Sequence, residues 1–144
     1  MNMTLIDERA CKPPSTQITD GCKMKIDWER LPAAAGMRAG STRKAICGEK
    51  MSAVLVTTTP EAKFDGKLHS HDNEQMLIMV SGSVTLKVDD NVFDVHAGDL
   101  VFFPAGSMHG AIGVGPEGCV YYELFAPARP DQLPGWIGPT VLRY

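Results

Sequence analysis

The stretch HSHDNEQ opens with two histidines one residue apart, His69 and His71, and closes with Glu74 and Gln75. Side chains alternate along an extended chain, so His69, His71 and Gln75 share one face and Glu74 takes the other. Two residues separated by one position diverge widely on a helix, so an HxH pair makes a natural chelate only on a strand. A third imidazole, His109, follows the run LVFFP and the turn-forming PAGSM, and an antiparallel barrel can lay that segment beside the first. The expected site is therefore His69, His71, Gln75 and His109, three imidazoles and an amide oxygen. Such ligands suit one divalent transition metal, zinc, nickel, iron or manganese, better than they suit thiolate-preferring ions. Four protein ligands leave one or two positions open for water or substrate, as catalytic sites require. Two alternatives stand beside this: a bulge would exchange Gln75 for Glu74, and an HxH pair in a loop is often plain exposed histidine. His96 has no partner at chelate spacing and reads as a surface residue.

A second set of reactive groups lies on the last long apolar run, CVYYELFAPARPD. Cys119, Tyr121, Glu123 and Phe125 alternate onto one face. If that face looks inward, Glu123 is the only carboxylate on this strand and a general acid or base, with Tyr121 as a hydrogen-bond donor. Leu77 and Met79 continue the face of Gln75, either as a substrate wall or as core filling. Arg129 lies past the strand end, where its planar fork suits a substrate carboxylate; the ordinary alternative is a surface ion pair.

The elements that must position these groups are strands. RKAICGEK and MSAVLVTTTP are dense in β-branched residues, and Pro60 closes the second run. LHSHDNEQMLIMV, SVTLKV and VFDV are set off by turn signals at Ser81-Gly82 and Asp89-Asp90-Asn91, and LVFFP follows the turn Ala97-Gly98-Asp99. No stretch carries apolar residues at helical spacing over three turns. Short strands with regular turn signals predict an all-β sandwich or barrel. A chain of 144 residues fits one domain. The expected division is an N-terminal arm over 1–25, a barrel over 26–131, and a C-terminal strap over 132–144 packed through Trp136, Ile137 and Val141.

Composition excludes several classes of function. The net charge is -3 and the 14 basic residues are scattered, so no positive stripe exists for nucleic acid. No apolar run approaches the roughly 18 residues that cross a bilayer. The start, MNMTLIDERACKPP, lacks the apolar segment of a signal peptide, which predicts a cytoplasmic protein. Cys11, Cys22, Cys47 and Cys119 form no CxxC pair and read as reduced thiols.

Gly66, His69, His71, Gln75 and Gly82 together resemble the first motif of the cupin superfamily: a glycine, an HxH pair, a Glu or Gln, and a further glycine. Gly98, Pro104, Gly106 and His109 match the second motif, with Gly113 in place of its terminal asparagine. The resemblance runs from about Trp28 to Asp131. It implies a double-stranded β-helix, or jelly roll, with a metal in its lumen and a homodimer as the assembly. Glu123, Phe125 and Arg129 also resemble the tail of small cupins that open unsaturated uronates, which often carry HSHPHEQ where this chain has HSHDNEQ. That likeness implies Glu123 as acid/base, Arg129 and Phe125 as substrate contacts, and lyase or isomerase chemistry on a small carboxylated, sugar-derived molecule. An iron-dependent dioxygenase and a non-catalytic binding module are the competing readings. Gln75 weighs against the dioxygenase, because neutral ligands stabilise an oxidised metal poorly.

Overall fold

The computed structural model describes residues 25–144; most of the expected N-terminal arm, with Cys11 and Cys22, lies outside the described residues. Seven strands follow in order: β1 (Ala34–Ala35), β2 (Ser41–Cys47), β3 (Ser52–Thr58), β4 (Glu74–Val88), β5 (Asn91–His96), β6 (Leu100–Phe103) and β7 (His109–Ala126). Short 3-10 turns at Trp28–Arg30 and Pro130–Gln132 are the only helical elements among the described residues, none of which forms a helix long and apolar enough to cross a membrane. The strands pair antiparallel in the order β1-β2-β3-β7-β4-β5, and β6 also pairs with β4. This is an all-β jelly-roll barrel.

Two long strands organise it. β4 and β7 pair along their whole lengths, from Glu74↔Ala126 to Val88↔His109. The hairpin expected at Ser81-Gly82 is not formed; LIMV and SVTLKV belong to one strand. Register shifts between Met79 and Ser81 and between Gly82 and Val84 take up the irregularity instead. Extra residues at such a bulge change which side chains face in. The buried positions of β4 accordingly switch from Gln75, Leu77 and Met79 to Val84 and Leu86. Gly82 has φ +71, and a Cβ there would overlap the Gly118 carbonyl, so the bend requires glycine. β7 likewise joins AIGVGPEG to CVYYELF in a single strand.

The inward faces meet in one core that includes Val54, Leu77, Met79, Val84, Val95 and Phe103. Each such side chain contributes about 1.5–3 kcal/mol by leaving water. The strap is held differently from the sequence expectation. Ile137 is fully exposed and Trp136 and Val141 are 41% exposed, because this irregular backbone turns them away from the barrel. Leu133 is the buried apolar anchor. Polar contacts do the rest: Ser70 and Arg143 exchange two backbone hydrogen bonds, Arg143 pairs with Asp72, and Thr140 and Val141 donate to Asp131.

Candidate metal centre

β4 begins at Glu74, so the HxH pair sits on the segment leading into the strand rather than on the strand itself. His69 forms an isolated antiparallel bridge with His109, each N–H donating to the other's carbonyl at 3.0 and 2.8 Å. That pair of backbone bonds brings the two remote parts of the chain together. His69, His71 and His109 are 6%, 1% and 3% exposed, and they offer ligand nitrogens that all lie within 4.8 Å of one another. Gln75 is buried beside them, whereas Glu74 is exposed on the outer side.

The protonation of this cluster follows from its surroundings. Burial, reinforced by His109 and His71, pushes His69 down to about 3. Burial also takes His109 to about 4, despite the opposing Ser107 carbonyl, and lowers His71. All three are neutral imidazoles near pH 7. His71 Nδ1 lies 3.1 Å from the Asn73 carbonyl and His109 Nδ1 lies 2.9 Å from that of Ser107. A carbonyl only accepts, so each Nδ1 carries the proton and each Nε2 presents a lone pair. Those two Nε2 atoms lie 3.0 and 3.1 Å from Gln75 Oε1. The amide is oriented by Gln75 Nε2 donating to Glu123 Oε1 at 2.9 Å. Three acceptors thus converge with no proton between them, and His69 Nδ1 is buried without a partner. This donor set fits a divalent cation, and backbone carbonyls behind two of the imidazoles fix their tautomers as metal sites require.

A cavity of about 50 Å³ adjoins the cluster, lined among others by His69, His109, Tyr121, Glu123, Arg38 and Arg43. One water needs roughly 10–15 Å³ on this measure, so the space beside the cluster takes a few waters or the polar end of a larger molecule rather than a whole sugar. Glu123 is partly buried and lines this cavity. Burial raises its carboxyl to about 7, outweighing Arg129, Arg38, Arg43 and the Gln75 hydrogen bond. Burial holds Tyr121 well above its ordinary value, so it remains a phenol and a donor.

Other expected residues are placed differently. Arg129 is 2% exposed, not a surface residue, and its Nε and Nη2 bind the two oxygens of Asp131 at 3.1 and 2.7 Å. It reaches the cavity wall with its fork already occupied. Phe125 does not line the cavity; its ring packs 5.7 Å from that of His71 and 5.0 Å beneath the Arg129 guanidinium. Leu77 lines the cavity, while Met79 fills the core. His96 is exposed, with Nδ1 4.0 Å from Asp99. Sequence reasoning missed Arg38 and Arg43. Arg43 left a trace, since it alternates in phase with buried Ala45 on β2; Arg38 sits in a turn, where alternation carries no information.

The Cupin domain family matches residues 54–125, half of the chain, and the chain belongs to that family. Among solved structures it is similar to an RmlC-like cupin from Shewanella frigidimarina, at 29% identity and a TM-score of 0.62, covering 72% of this chain and 89% of that one. It is also similar to KdgF from Halomonas sp., at 24% identity and a TM-score of 0.62, covering 73% and 94%. A variant of the Bacillus subtilis oxalate decarboxylase OxdC shares the fold at 22% identity and a TM-score of 0.61; the match covers 71% of this chain and 29% of the decarboxylase. No curated protein matches the chain.

Proposed function

We propose that the chain is a metal-dependent cupin enzyme of lyase or isomerase type, acting by proton transfer on a small carboxylated, sugar-derived molecule of the unsaturated-uronate kind. One observation carries this reading: Glu123 opens onto the same cavity as the histidine cluster and is joined to it through the Gln75 amide. His69, His71, His109 and Gln75 would hold the ion, which when bound would act as a Lewis acid toward a substrate oxygen. Glu123, raised toward neutrality, is suited both to give and to take a proton at the working pH. Tyr121, a phenol on the same wall, would donate a hydrogen bond to the substrate, and the buried Arg129–Asp131 pair lies just past the end of β7 that carries Glu123. The tail resemblance to uronate-opening cupins supports the substrate class. A cytoplasmic homodimer belongs to the same reading. The outward, half-exposed side chains Val80, Leu100 and Phe102 supply the apolar face that a second copy would cover.

The test is elemental analysis of protein purified without added metal, then ring-opening assays on unsaturated uronates beside oxygen-uptake measurements. Bound metal with ring opening and no oxygen consumption is the expected result. Oxygen uptake would replace the reading with a dioxygenase.

A further inference from the structure

We propose that Arg38 and Arg43 form the subsite that receives the substrate carboxylate, the role first expected of Arg129. This deepens the functional reading above and rests on the cavity being a substrate site. Arg129 has little left to offer: Asp131 takes its Nε and Nη2, and the Gln132 side-chain oxygen, with the amide turned toward it, accepts from both Nη atoms at 3.2 and 3.0 Å. Its charge is already balanced. Among the described residues Arg43 engages its Nε alone, on the Gln132 backbone carbonyl at 3.2 Å, and its side chain lines the cavity. Arg38 lines the same cavity, and its Nε is buried without a partner. Among the described residues neither makes an ion pair, and Glu123 is the only carboxylate on the cavity wall.

Arg38 is also held in place. Its turn is fixed by Thr59 N–H donating to the Gly40 carbonyl at 2.9 Å and Lys63 N–H to that of Ala39 at 3.1 Å. The guanidinium lies over the Phe64 ring at 5.4 Å, and Nη2 sits 3.3 Å from where a Cβ on Gly110 would stand, next to His109. The missing side chain at Gly110 thus leaves room for the guanidinium beside the candidate metal ligands. Partly buried guanidinium groups that make no direct ion pair among the described residues favour an anionic ligand, and a planar fork matches a carboxylate in both charge and shape.

The experiment is calorimetric titration of the metal-loaded protein with D-galacturonate and with D-galactose, which differ at the carboxylate. The wild-type protein is expected to prefer the acid by at least about tenfold, and Arg38→Gln and Arg43→Gln each to lose about tenfold of acid affinity, the weight of one charge-assisted hydrogen bond. The double variant should bind the two sugars alike with its metal content unchanged. Arg38→Lys keeps charge and bulk without the fork and should fall between wild type and Arg38→Gln, so a folding defect in the glutamine variant does not decide the matter. A wild-type protein without acid preference, or a double variant that retains it, overturns the assignment. Glu123→Gln should keep the preference; if the preference holds while wild-type turnover of uronates is absent, the subsite stands and the enzymatic reading falls.

Discussion

Gln75 and Glu123 face each other across paired strands, amide nitrogen to carboxylate oxygen at 2.9 Å, and the same amide turns its oxygen toward His71 and His109. One neutral side chain therefore links the group that carries a proton to the groups that would hold an ion.

Replacing that amide by a carboxylate tests the link. Gln75→Glu sets a second acid against Glu123, and like charges raise the pKa of one member of such a pair. Metal should remain bound, and the Glu123 limb of the pH–rate profile should move alkaline by about one unit or more. An unmoved profile would separate Glu123 from the cluster.

Removal of single imidazoles tests the centre itself. His69→Ala, His71→Ala and His109→Ala should each reduce bound metal from one ion per chain to a small fraction of that, measured by elemental analysis. A ligand that binds only the folded state stabilises it, so chelator treatment of the wild-type protein should lower its melting temperature, and these variants should show no such response.

Glu123→Gln should separate stability from chemistry. A carboxyl raised from its ordinary 4.5 to about 7 contributes stability that is intact below about 4.5 and is lost as pH rises through 7. The variant has no carboxylate to ionise. It should match the wild-type protein near pH 4.5 and exceed it at pH 8 by roughly 1–3 kcal/mol in urea unfolding, while turnover is abolished.

Asp131 anchors two structures at once. Asp131→Asn leaves the Arg129 guanidinium buried without its counter-charge, at a cost of about 3–5 kcal/mol. It also weakens the acceptor for Thr140 and Val141, so residues 132–144 should become susceptible to limited proteolysis before the barrel unfolds.

Much of this arrangement was legible in the sequence, for identifiable reasons. Alternation placed Tyr121, Glu123 and Phe125 on the inward face of β7 and separated Gln75 from Glu74, because a strand repeats every two residues. Motif spacing brought His109 to His69. Alternation failed at Ser81-Gly82, where a turn dipeptide marks a bulge inside a strand, since the same positive φ serves both purposes. It was also silent for Arg38, Arg129 and Trp136, which lie in turns and irregular chain. There, burial depends on side-chain partners such as Asp131 for Arg129 and Phe64 for Arg38 rather than on strand phase, and leaves no alternating pattern.

The length of β7 carries a last consequence. His109 and Glu123 are 14 residues apart on one strand, a span of about 46 Å if straight, yet both border a single small cavity. The strand therefore encircles the chamber like a belt. Loops that leave the rim could be exchanged to suit a different guest without disturbing the distance between ion and proton carrier, whereas altering the pivot at Gly118, whose φ is +74, would reset it.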